Sequence, residues 1–114
     1  MRAILIDPFD QTVTEVDYSG DFKQIHELLN IRSFTLVSDF AGGNDIYVDD
    51  NGLAVDFENQ AFFIAKGYPE PLAGKGLILG VTPDGESTAT ELNLEDARQK
   101  IRFIDHATLI KEFS

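Results

Sequence analysis

The chain has 114 residues, 43% of them hydrophobic, with nine Phe, three Tyr and no Cys, and its 20 acidic against nine basic residues give a formal net charge of −11. That length fits one domain spanning 1–114 and buries roughly two-thirds of the unfolded chain's surface, and the aromatic content excludes intrinsic disorder. Without cysteine there is no disulfide or thiolate chemistry, and the acid excess argues against phosphate backbones and anionic membranes as direct partners.

The opening "MRAILIDPFD" carries an apolar run too short for a secretion signal, and no other run approaches the roughly 20 residues of a membrane span. A cytoplasmic protein is expected. "RAILID", closed by Asp7-Pro8, reads as a strand ending in a turn. "QTVTEVDY" is β-branched and reads as a second strand, antiparallel to the first. Ser19-Gly20-Asp21 breaks the pattern. Asp21 and Gln24 have capping-box spacing, Phe22, Ile25, Leu28 and Leu29 share a helical face, and Asn30 is a left-handed stop.

"SFTLVSDF" is the third strand, followed by a turn at Ala41-Gly42-Gly43-Asn44. The next stretch, "DIYVDDNGLAVDFE", supports two readings. Aligning Gly52 with the glycine of a calcium loop puts Asp49, Asn51 and Glu58 at ligand positions, but Tyr47 then stands where a carboxylate is needed. Read by alternation, "DIYV" and "LAVDF" are strands joined through Asp49-Asp50-Asn51-Gly52, because Asn and Gly tolerate positive φ. The hairpin is preferred, and no metal is expected.

"QAFFIAKG" reads as a strand in which Phe62 and Phe63 point to opposite faces, leaving one exposed or at an interface. "GYPEPLAGKG" is a loop. It leads into "GLILGV", whose unbroken apolar run predicts a strand buried on both faces. "TPDGES" is a turn and "TATEL" a short edge strand. Asn93 caps a second helix in which Leu94, Ala97, Ile101 and Ile104 recur at helical spacing, and "HATLIKEFS" is either helix or strand. Strands outnumber helices and follow one another. The expected fold is therefore α+β: a mainly antiparallel or mixed sheet of about five or six strands with two helices packed against it.

Chemistry is thinly signposted. His26 and His106 are the only imidazoles, too few for a transition-metal site, and with no thiol in the chain they leave little material for a catalytic triad or thiol nucleophile. Gly74-Lys75-Gly76 lacks the Ser/Thr and following helix of a phosphate loop. No catalytic residue and no cofactor is assigned. Two surfaces remain. No base falls between Arg32 and Lys66, while Asp39, Asp45, Asp49, Asp50, Asp56 and Glu58 do; this acidic segment serves either solubility or a basic protein partner. The loop at 67–76, with Asn59, Lys66 and Lys75, is the candidate for a small ligand.

The order of "MRAILIDP", "DFKQIHELL", "IYVDDNGL", Asn59-Gln60-Ala61 and Ala73-Gly74 through Gly80 resembles a small family of uncharacterised domains of phages, plasmids and other mobile elements. The resemblance covers residues 1–82, leaving 83–114 as a C-terminal strand and helix extension. Family members usually carry arginine where this chain has Gln60, and a proline before the Asn59 motif that is missing here. The resemblance implies a mobile-element origin and a host cytoplasm, and brings no activity with it. The resulting expectation is a non-enzymatic accessory protein acting by protein–protein contact. The alternatives are an acidic DNA mimic directed at a basic host protein and a small-ligand binder. A homodimer through sheet edges or exposed aromatics is open.

Overall fold

The computed structural model describes residues 1–113, the side chain of Asp39 excepted. Nine strands, all paired antiparallel, form two sheets. The larger contains β1 (Arg2–Asp7), β2 (Thr12–Asp17), β3 (Phe34–Phe40), β4 (Asn44–Asp49), β7 (Gly76–Val81) and β8 (Ser87–Thr88). Its order is β2-β1-β7-β4-β3, with β8 on the end of β7. The smaller sheet is β6 (Leu72–Ala73), β5 (Phe62–Ala65) and β9 (Ile101–Ile104), with β5 in the middle. Helices α1 (Phe22–Leu29), α2 (Leu94–Lys100) and α3 (His106–Phe113) complete the fold.

"GLILGV" is the central strand, as its unbroken apolar run predicts. Ile78 lies opposite Ile4 on one side and Ile46 on the other, while Leu77 lies opposite Leu5 and Tyr47. Because side chains alternate along a strand, the isoleucine row faces one way and the Leu5–Leu77–Tyr47 row the other. The second row packs under α1 with Ile25 and Leu29. The isoleucine row packs on Phe63, Ala65, Leu72 and Ile101 of the small sheet and on Ala97 of α2. On the far side of the small sheet, Phe62, Ala73 and Ile104 are covered by Leu109 of α3. The result is four layers: helix, large sheet, small sheet, helix.

Local signals at α1 hold. Asp21 accepts from the Lys23 amide, and Asn30 ends the helix at φ 56°, ψ 55°. Gln24 completes the cap two residues upstream of the capping-box pattern, accepting from the Ser19 amide at 2.6 Å.

Four expectations are corrected. "LAVDF" is not a strand, and Asp49 to Gly52 is not a hairpin turn. The segment forms two single 3-10 turns, Gly52–Ala54 and Phe57–Asn59. β4 is already paired on both edges, with β3 and β7, so a returning strand has nowhere to add. Second, the helix begun at Asn93 stops at Lys100. Ile101 adopts φ −114°, ψ 130° and starts β9, whose alternating faces reproduce part of the helical spacing. Third, among the described residues the helices number three and the sheets two, and the tail is helical from His106 to Phe113. Fourth, Phe62 (6% exposed) and Phe63 (0%) are both buried, so neither side chain projects freely into solvent. A strand lying between two covered faces buries both.

Candidate interaction surface

The acidic positions are spread over several elements. Asp45 and Asp49 share the face of β4 that carries Tyr47, four residues apart, or about 13 Å along a strand. Asp50 is exposed in the turn after β4, and Asp56 and Glu58 ride on the 3-10 turns beyond. Asp39 belongs to β3, its side chain outside the described set. The hairpin that would have returned Asp56 and Glu58 alongside Asp45 to Asp50 does not form, so these carboxylates follow no single strand ladder.

Near the calcium-loop spacing, Asp49 Oδ1 is taken by the Asn51 amide at 2.9 Å. Among the described residues, no three acidic or histidine side chains gather as a metal site would need. Asp45 instead acts on its neighbour. Burial pushes the Tyr47 hydroxyl above its ordinary pKa, a hydrogen bond with Ser87 works against that, and the Asp45 charge adds to the rise.

Two of the ligand-loop candidates do converge. Asn59 and Lys75 line a cleft of about 490 Å³, together with Asp7, Asp10, Asp49 and Gln60. Lys66 is not part of it. It follows β5, and its amide bonds to the Lys100 carbonyl at 2.9 Å. Three carboxylates against one ammonium make this cleft unsuited to an anion. Asp7 Oδ1 is partly occupied by the amides of Phe9 and Asp10. Gln60, where the resemblance leads one to expect arginine, is buried. It ties three elements together: Nε2 donates to the Gly52 carbonyl (2.7 Å), Oε1 accepts from the Ala61 amide (3.1 Å), and its own carbonyl accepts from His106 Nε2 (2.7 Å). That last bond places the neutral His106 proton on Nε2.

A second concavity carries the opposite character. Leu53, Phe57, Phe62, Pro71, Leu109, Ile110 and Phe113, with Glu70 as the one charged residue, line a groove of about 560 Å³ between α3 and the 3-10 turns. Phe62 forms its floor. Phe57 stands beside it at 5.6 Å between ring centroids and stacks on His106 at 4.5 Å. Around them Leu53 is 83% exposed, Ile110 55% and Phe113 44%. Sequence reading missed this groove because it took Leu53 into a strand and left the tail undecided. The usable signal was the spacing of Leu109, Ile110 and Phe113, which is that of one helical face.

The chain matches, over residues 1–105, the family described as a domain of unknown function, DUF3846. It belongs to that family. The match runs past residue 82 and takes in α2 and β9, so the DUF3846 domain includes the small sheet's third strand, and α3 lies beyond its matched span. No curated protein and no solved structure matches the chain. Among the described residues of this DUF3846 protein, no helix is long and apolar enough to cross a membrane.

Proposed function

We propose that this protein is a non-enzymatic accessory protein of a phage or other mobile element, acting by protein–protein contact in the host cytoplasm. One observation carries the contact: the groove beside α3, where large apolar side chains stand exposed together. Single exposed hydrophobics are ordinary on any surface, whereas a contiguous concave set marks an interaction site. The mobile-element origin and the cytoplasmic setting rest on the sequence resemblance alone.

The test is affinity capture from bacterial lysate with wild-type protein and with Leu53→Asp, at low and at high salt. A partner held at high salt by the wild type and lost by Leu53→Asp is the expected result. A partner released by salt and indifferent to Leu53 would sink this reading and favour the acidic surface, the contact a DNA mimic would use.

A second reading has its own observation. The cleft of Asp7, Asp49, Asn59, Gln60 and Lys75 is concave and polar, as a small-ligand site requires. Its charge favours an amine or a neutral polar ligand over a phosphate. Titration with a panel of polyamines, followed by chemical shifts of the Asn59 and Gln60 side-chain amides, decides it.

A further inference from the structure

We propose that the groove beside α3 takes a short amphipathic helix of a basic partner protein, its apolar side chains in the groove and its Lys/Arg flank over Glu70, Asp56 and Glu58. This rests on the protein-contact reading above and gives the partner its chemistry.

The shape argues for a helix. The wall formed by α3 spans Leu109, Ile110 and Phe113, and the eight residues of that helix run about 12 Å, a little over two turns. An occupant presenting apolar residues at i, i+3 or i+4, and i+7 covers that length with three anchors. An added strand would need a bare sheet edge. The neighbouring edge, β6, pairs with β5 on one side and has Gly52 pressed against it on the other. A Cβ on Gly52 would stand 2.9 Å from the Ala73 carbonyl oxygen.

The charge argues for a basic flank. Glu70 lines the groove, and Asp56 and Glu58 are exposed on the turns that carry Leu53 and Phe57. Among the described residues, none of the three has an ion pair or a side-chain hydrogen bond partner. The nearby bases are directed elsewhere. Arg102 is held by Glu112 at 3.0 Å, and Lys111 lies about 100° around α3 from Ile110, away from Leu109 and Phe113. A second copy of this chain is a poor occupant for the same reason. Two such grooves face to face would bring Glu70, Asp56 and Glu58 against their equivalents, on molecules each carrying −11.

The probe is a fluorescein-labelled, 18-residue Leu/Lys peptide with Leu on one helical face, compared by anisotropy with a Leu/Glu peptide of identical apolar pattern and with a scrambled Leu/Lys peptide. The amphipathic Leu/Lys peptide is expected to bind, at least tenfold more weakly to Leu53→Asp and several-fold more weakly to Glu70→Lys, with the two control peptides silent. Leu53 is too exposed for its replacement to unfold the chain, and a melting curve of each variant checks this. Equal binding of the scrambled peptide, or binding unaffected by Leu53→Asp, overturns the proposal. So does a concentration-dependent dimer in light scattering that Leu53→Asp abolishes, since the occupant is then a second copy. If the peptide fails while Leu53-dependent, salt-resistant capture persists, the partner class is wrong and the contact reading stands. If both fail, both fall.

Discussion

At Gly52 the reason for glycine differs from the one its neighbours suggest. Asp49-Asp50-Asn51-Gly52 looks like a turn that needs positive φ, yet Gly52 is absent from the left-handed residues, which include Gly20, Gly42, Gly43, Gly67, Gly74 and Gly85. What it needs is room: the Ala73 backbone occupies the space of a side chain. Gly52→Ala is therefore expected to destabilise the fold by about 1–3 kcal/mol, as overpacking does, in a denaturant melt. A change below about 0.5 kcal/mol would show that β6 moves freely. Tyr18 poses the reverse case. It is wholly buried beneath α1, and among the described residues its hydroxyl has no hydrogen-bond partner. Burial raises its pKa above the ordinary value, with the Tyr47 and Asp21 charges adding to the rise. Removing a buried polar atom that satisfies nothing should help, so Tyr18→Phe is expected to raise stability by about 1 kcal/mol, read as a higher Tm. A clear loss would reveal a partner for that hydroxyl, such as a buried water.

Among the elements, α3 is expected to respond to pH through its cap. Asp105 caps it, with Oδ1 accepting from the Thr108 amide at 2.7 Å. Hydrogen bonds from the Thr108 backbone, then from its side chain, hold the Asp105 carboxyl below its ordinary value; burial works against this, and the His106 charge adds a lesser lowering. A carboxyl depressed in the folded state stabilises above its unfolded pKa and loses that contribution as pH falls through the folded one. So this contribution to α3 docking should be full above the ordinary aspartate pKa and decline as pH falls from there through the lower folded value. Asp105→Asn should remove this acid-side dependence. Amide exchange of Leu109 and Ile110 across pH measures both; an identical acid profile in the variant would place the cause elsewhere. The same helix shows what sequence can and cannot reveal. Asp21, Asn30 and Asn93 were legible as caps because capping is decided within four residues. The tail was not, because Leu109 chooses helix only when Phe62, Ala73 and Ile104 offer it a surface to cover.

For the molecule as a whole, the same division holds. The first two strands, α1, β3 and the central β7 could be read from local pattern, since each buries its apolar residues in the register its own period sets. The second sheet could not. β5 meets β9 some forty residues later, and helical spacing over Leu94, Ala97, Ile101 and Ile104 concealed a strand. The polar cleft was half visible through Asn59 and Lys75. The apolar groove was hidden, because its walls come from turns read as strand and a helix left undecided. Charge was the plainest feature of the composition, but the failed hairpin shows that composition does not fix an array.

The placement of β7 also sets an order of events. Hairpins β1–β2 and β3–β4 are each made of neighbours in sequence, but in the large sheet they meet only through β7, near residue 80. Until that segment leaves the ribosome, the two hairpins have apolar rows open on both faces and no shared neighbour, and an isolated two-stranded ribbon is only marginally stable. At the ordinary pace of about 5–20 residues per second, the stretch from Asp49 to Val81 keeps them apart for a few seconds. The large sheet closes when its centre is synthesised. During that interval, the acidic residues strewn over the first half of the chain oppose contact between nascent copies by like-charge repulsion.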